Sequence, residues 1–571
     1  MINELAEAPA AAKRTFLPKD LKVESFSSVE KYFIDIEKRE IASAGDLKKW
    51  LNDRSELESM LSEELGWRYI KTNCNTQDKE ASKAFEFFIN EISPKIAPFT
   101  NRLNLKINNS PFAAQLNDHR FDNYLKGIKN DIKIFREENI PLIAKEESDE
   151  QKYGEVVAEM SVEYNGKTLT LPQAANLLKN PDRKLREEIY HKIATRRLKD
   201  KDKLNELFSS LLETRTSIAN NAGYKNYRDY KFDELHRFDY TKEDCFRFHE
   251  AVVKVVVPVI EMIDSERKSA MKLDAYKPWD TEVDQTGKPD LKPFADSKQL
   301  IDKSIACFAE VNPFLGECMS TLHTMRHLDL ESRVGKAPGG FNYPLYETGV
   351  PFIFMNATSS LRDLVTMMHE GGHAVHSILN HELDFVNFKE LPSEVAEVAS
   401  MSMELISMEH WGLFFENKED LKRAKREQLE DVIGGLPWIA CIDKYQHWLY
   451  EYPQQTVAER TDAWMNCHKQ FGSKVIDWKG EEKARENLWQ KQLHIYEVPF
   501  YYIEYGFAQL GAIAIWRNYR KDPEKTLQQY LNALKLGHTT SIPKFYETAG
   551  VKFDFSENNV AELISFLKEE L

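Results

Sequence analysis

The stretch Asn356-Ala-Thr-Ser-Ser-Leu-Arg-Asp-Leu-Val-Thr-Met-Met-His-Glu-Gly-Gly-His-Ala-Val-His-Ser-Ile-Leu379 decides how the chain is read. Ser360 followed by Asp363 is a capping-box-like helix start. Leu361, Leu364, Val365 and Met368 then supply an apolar face, so the spacing predicts a helix running through His369-Glu-Gly-Gly-His373. On that helix His369 and His373 lie one above the other, and both imidazoles reach a single ion. Glu370 stands about 100° around the helix, beside the remaining coordination position. There a carboxylate takes a proton from a metal-bound water, the part it plays in His-Glu-x-x-His metallopeptidases. Zinc suits two imidazoles plus a carboxylate and keeps one position open for water. A helix of purely structural use has little reason to carry Gly371 and Gly372, which cost about 1 kcal/mol each relative to Ala. Close approach of a strand or of a substrate backbone is the reading adopted for them.

A third protein ligand is needed. The segment Phe388–Leu405 offers Glu390, Glu394, Glu397 and Glu404. Pro392 and Ser393 favour a helix start, which puts Glu397 and Glu404 on one face, with Glu390 at or before its beginning. Spacing alone leaves the choice among these carboxylates open. Further on, His494-Ile-Tyr-Glu-Val-Pro-Phe-Tyr-Tyr-Ile-Glu-Tyr-Gly506 gathers four tyrosines and a histidine ahead of an apolar helix from Phe507. A phenol or an imidazole N–H aimed at a developing oxyanion stabilises peptide hydrolysis; an aromatic core cluster is the bland alternative.

Around these motifs the chain is helical in pattern. Asp46–Leu65, Glu80–Ile96 and Lys199–Ala219 carry apolar residues at three- and four-residue intervals. Strand-like segments are few: Glu159–Tyr164 and Lys167–Leu171 flank an Asn165-Gly166 hairpin turn, and Pro351–Met355 follows the Gly- and Tyr-rich loop 335–349. That loop and strand, with Phe352 and Phe354, are read as a substrate edge, where an extended peptide adds by β-augmentation. The hairpin and the Asn180-Pro-Asp182 break separate an N-terminal helical lobe, 1–185, from a catalytic region, 186–571. Residues 275–297, with Pro278, Pro289 and Pro293, read as a long surface connection.

Together the motifs resemble the oligoendopeptidase F branch of the thimet oligopeptidase family of zinc metallopeptidases. The likeness rests on His369-Glu-Gly-Gly-His-Ala-Val-His-Ser377, on Ala396-Glu-Val-Ala-Ser400 and on the His/Tyr-rich segment near residue 500. It implies a mostly α, two-lobed enzyme with a small β element beside the zinc helix and a deep channel between lobes. It implies Glu397, 24 residues after His373, as third ligand, and Glu404 as the group orienting a metal-bound imidazole. Glu390, 17 residues after His373, sits too close in sequence. The resemblance also implies His494 and a tyrosine pair spaced i, i+3 as oxyanion donors. Tyr502 and Tyr505 fit that spacing, with Tyr501 the rival to Tyr502 and Tyr496 a substrate contact. His376 is a helix residue near the site and not a ligand.

The activity implied is cleavage of internal bonds in short unstructured peptides, with one Zn2+ per chain and no covalent enzyme intermediate. A related carboxypeptidase or dipeptidyl carboxypeptidase is the alternative within enzymes, and a catalytically inactive peptide-binding protein the alternative outside them. Composition agrees with that range. The 571 residues are 42% hydrophobic, ample for a large core, and the net charge of -15 disfavours a nucleic-acid footprint. The six cysteines contain no CxxC pair and read as reduced thiols of a cytoplasmic protein. Met1–Pro18 has no leader-like apolar core, and no run long enough for a membrane span occurs.

Overall fold

The computed structural model describes residues 13–571 apart from 117, 334 and 338, so the Ala-rich start at 1–12 lies outside the described residues. Helices dominate, as the periodicity predicts. Ala44–Cys74 is capped by Ser43, whose hydroxyl accepts the Asp46 N–H, and Lys201–Asn221 is the second long amphipathic element. The pattern at Glu80–Ile96 becomes two helices, Lys79–Phe87 and Ser93–Asn108, joined by a wide π turn at Phe88–Ile92. A second π turn, Val252–Val256, has the same cause. Each ends two residues before a proline, Pro94 or Pro258, which lacks an N–H and whose ring crowds the carbonyl four residues back.

Two small sheets interrupt the helices. Strands β1 (Ser161–Tyr164) and β2 (Lys167–Thr170) form the expected hairpin. Asn165 and Gly166 both take positive φ, 49° and 72°, as a two-residue turn of this kind requires. Strands β3 (Leu328–Glu331), β4 (Phe341–Tyr343) and β5 (Phe352–Ala357) form the second sheet in the order β3-β5-β4. β5 therefore lies in the middle, parallel to β3 and antiparallel to β4, and its backbone is paired on both sides. Phe352 and Phe354 are buried, Phe354 stacking on Phe341 with ring centroids 4.7 Å apart. This corrects the reading of 351–355 as a substrate edge: the edge strands of the sheet are β3 and β4, and Phe352 and Phe354 are core.

The segment 275–297 also departs from expectation. It lacks long regular structure, yet Tyr276, Trp279 and Asp280 are buried. Asp280 receives Arg183 and Arg186 at 2.8 Å each, which anchors the connection to the helix Arg183–Lys199. Burial of a carboxylate is tolerable there because two guanidiniums meet it.

One large apolar core runs from Ile134 to Leu567, and a smaller one gathers Leu17–Ile128 with Phe385 and Phe388. The helix Ala44–Cys74 bridges toward the second sheet. Its Tyr69 ring lies 5.2 Å from Phe341 and 5.6 Å from Tyr343. Its Glu63 carboxylate accepts the backbone N–H groups of Glu347 and Thr348 at 2.7 and 2.8 Å. No helix among the described residues is long and apolar enough to cross a membrane. No disulfide joins the cysteines, five of which are buried.

Candidate metal centre and active site

The motif helix runs Leu361–Asn380 and begins as its sequence dictates. Ser360 accepts the Asp363 N–H while the Asp363 carboxylate accepts the Ser360 N–H, a reciprocal capping box. It packs on the helix Ser393–Ser407, and the two glycines make that approach feasible. A Cβ at Gly372 would meet Ser400 Cα at 2.7 Å and Ala399 O at 3.1 Å, and one at Gly371 would run into the Phe308 ring. The close neighbours are thus a second helix and a phenylalanine, not the strand or substrate backbone expected.

That approach brings three side chains together. One ligand atom each from His369, His373 and Glu397 lies within 4.8 Å of the others. Both imidazole Nε2 atoms converge on the same carboxylate oxygen, Glu397 Oε2, at 3.3 Å from His369 and 3.6 Å from His373. His369 Nδ1 is held 2.6 Å from Glu404 Oε1, which turns Nε2 toward Glu397, and Gln428 donates to Glu404 Oε2 at 2.9 Å. Two imidazoles and a carboxylate, one imidazole backed by a second carboxylate, are a donor set that suits Zn2+. Glu390 stands apart, beside Arg237 and His538 in another depression.

Electrostatics follow from burial and these contacts. Burial opposes charge on His369, but hydrogen bonds to Glu397 and Glu404 outweigh it and raise its pKa well above the usual value. Burial lowers His373 to about 4. Burial likewise pushes Glu397 up, yet His373, His369 and a hydrogen bond from Tyr501 bring it down to about 2. Glu370, 6% exposed, is pushed up to about 7, chiefly by burial.

A cavity of about 340 Å³ opens over the group, lined by Glu370, His373, Glu397, Tyr501 and Tyr505, and by Phe341 and Asn342 of the edge strand β4. Asn342 Nδ2 donates to the Glu370 carbonyl at 3.4 Å, tying that edge to the motif helix. The aromatic segment borders this cavity in part. The helix Tyr502–Lys521 starts one residue after Tyr501, whose hydroxyl donates to Glu397 Oε1 at 2.8 Å. Tyr505 lies beside Tyr501, ring centroids 5.3 Å apart. Tyr502 does not line the cavity; its ring packs 4.6 Å from His494, which also stands one layer back and accepts Gln492 Nε2 at Nδ1 (2.7 Å). Tyr496 is fully buried, stacked on Tyr153 at 4.4 Å, and is core, not a substrate contact. His376 lines the cavity but is not in the three-residue group. Sequence reasoning missed Gln428, whose position on the helix Lys418–Glu451 gives no local signal, and Asn342.

A helical fold in which a His-Glu-x-x-His helix meets a glutamate of a second, packed helix defines a zinc metallopeptidase. The chain belongs to peptidase family M3, whose pattern matches residues 176–563, and residues 18–135 match the M3 N-terminal domain. An oligoendopeptidase F homolog of Borreliella burgdorferi is 23% identical over 546 residues, covering 91% of this chain and 88% of the relative. Among solved structures, PZ peptidase A with an inhibitor superposes at a TM-score of 0.90 with 25% identity, covering 97% of this chain and 98% of that one. A chain described as an oligoendopeptidase F from Bacillus anthracis strain Ames shares the fold at a TM-score of 0.87, with 22% identity and 98% of each chain covered.

Proposed function

We propose that this M3 oligopeptidase cleaves internal bonds of short unstructured peptides, with one Zn2+ held by His369, His373 and Glu397. The observation that carries this is the convergence of both Nε2 atoms on Glu397 Oε2, with Glu370 in the same cavity as the β4 edge. When bound, zinc supplies Lewis acidity toward a carbonyl oxygen and acidifies a water. The chain's own groups do the rest. The β4 edge pairs with an extended substrate backbone and sets it across the motif helix. Glu370 accepts the proton of the attacking water and passes it to the leaving amine. Tyr501 and Tyr505 donate toward the developing oxyanion, with His494 and Tyr502 packed behind them as support. Glu404 holds His369 in the tautomer that presents Nε2. The cavity is the floor of a channel between two lobes, and its confinement selects flexible peptides in a cytoplasmic setting.

The test is metal content of the purified protein together with cleavage of an internally quenched fluorescent peptide, before and after chelation. The expected result is one zinc per catalytic group, activity lost to chelator and regained with zinc, and products from an internal cut. Release of C-terminal mono- or dipeptides alone would favour the carboxypeptidase alternative. No cleavage after zinc loading would leave a peptide-binding protein.

A further inference from the structure

A second cluster of metal-ligating side chains lies outside the active site. Cys245 and His249 are four residues apart on the helix Lys242–Ala251, and Asp443 and His447 are four apart on the helix Lys418–Glu451. That spacing puts each pair on one helix face, and the two faces meet. Ligand atoms of Cys245, Asp443 and His447 all lie within 4.8 Å of one another, and each residue is buried. His249 Nε2 is 2.8 Å and His447 Nε2 3.3 Å from Asp443 Oδ2.

These contacts occupy Asp443 Oδ2 and leave other polar atoms of the cluster unsatisfied. Asp443 Oδ1, His249 Nδ1 and both nitrogens of His447 are buried without a hydrogen bond of acceptable geometry. Phe246 and Phe500 pack on His447 with ring centroids at 4.8 and 5.3 Å, and Phe471 on His249 at 6.2 Å, so the wall is aromatic. Asp443 is 0% exposed, and no Lys or Arg pairs with it among the described residues. A fully buried carboxylate and several orphaned polar atoms call for a cation.

We infer that Cys245, Asp443 and His447 bind a second, structural divalent cation of the zinc class, with His249 steadying the Asp443 carboxylate. Sulfur, imidazole and carboxylate donors together select a borderline-soft ion. Binding releases the thiol proton to solvent. The ion's two positive charges then cancel the thiolate and the carboxylate, which leaves a neutral cluster in the apolar wall. The site also backs the active centre. Phe500, held at φ 66°, donates its N–H to Gln446 Oε1 at 2.8 Å and immediately precedes Tyr501. A cation at the neighbouring His447 fixes the helix turn that carries Gln446.

The test uses the full chain with His369→Ala and His373→Ala, which removes two of the three active-site donors. The protein is stripped of metal, titrated with cobalt(II), and checked for fold by circular dichroism. The expected result is one tightly held cobalt with a thiolate-to-cobalt charge-transfer band. Adding Cys245→Ser removes the band and lowers affinity by more than the roughly 10- to 100-fold that loss of an outer partner costs. A folded double variant that retains no cobalt, or retains it without the thiolate band, overturns the inference. Either outcome leaves the peptidase reading untouched, because that reading is tested on the unaltered chain.

Discussion

Replacing Gly372 with Ala tests whether helix contact sets the metal geometry. The added methyl would sit 2.7 Å from Ser400 Cα, about 0.7 Å inside the 3.4 Å where ordinary contact begins, and 3.1 Å from Met403 Cβ. The obstructing atom is backbone and cannot rotate away, so the two helices must part by a comparable distance. Overpacking of this kind costs about 1–3 kcal/mol, while Gly→Ala inside a helix returns about 1 kcal/mol. The net loss of stability is therefore modest, up to about 2 kcal/mol. The effect on the metal is larger in proportion, because ligand distances tolerate only about 0.2 Å and Glu397 lies one turn from Ser400. We expect zinc affinity, measured by competition with a chromogenic chelator, to fall at least about tenfold. Gly371→Ala is the control: the nearest atoms its methyl meets are those of the Phe308 ring, at 2.4 Å, and not the backbone of the helix that carries Glu397. It should lower the thermal midpoint with less effect on affinity. Gly372→Ala with wild-type affinity, or Gly371→Ala with the greater loss of metal, would refute the reasoning.

Glu370→Gln should keep its zinc, by elemental analysis, and lose about 10²–10⁴ in kcat; near-normal turnover would remove the general base. Glu397→Ala should weaken zinc binding far more than Glu390→Ala in the same competition assay, and the reverse order would displace Glu397. Tyr501→Phe and Tyr505→Phe should each lower kcat/KM by about 10²–10³, whereas Tyr502→Phe stays within about tenfold. An equal loss at Tyr502 would restore it as a donor. Glu404→Ala should cost about 10- to 100-fold in zinc affinity, read by the same titration.

What was legible in the sequence was what local chemistry governs. The capping box at Ser360 and Asp363, the helix through His369 and His373, and the Asn165-Gly166 turn are all settled within a few residues. Glu397 was less so, because its approach to the histidines depends on how two helices pack. Spacing left four carboxylates open, and only the family resemblance separated them. The glycines signalled close contact correctly, but nothing local says that the neighbour is Ser400. Strand position in a sheet is likewise nonlocal: the pattern of 351–355 says nothing of β3 and β4, which cover β5 on both sides. The one-residue ambiguity between Tyr501 and Tyr502 turns on Phe500, whose left-handed φ of 66° no apolar pattern announces. Trp279 and Asp280 look like surface residues in a proline-rich segment until Arg186 arrives from almost a hundred residues away.

The Glu63 contact has a consequence for how the enzyme can be divided. Its carboxylate grips the backbone at Glu347 and Thr348, and Arg14 takes the Glu347 side chain at 2.7 Å. The cavity wall following β4 is thereby tethered by residues far upstream, while the metal donors come from a later part of the chain. A fragment trimmed to its His-Glu-x-x-His portion would carry the ion's ligands but a loose wall. It would bind metal and turn over poorly, and supplying the missing N-terminal piece in trans would be the way to recover the lost rate.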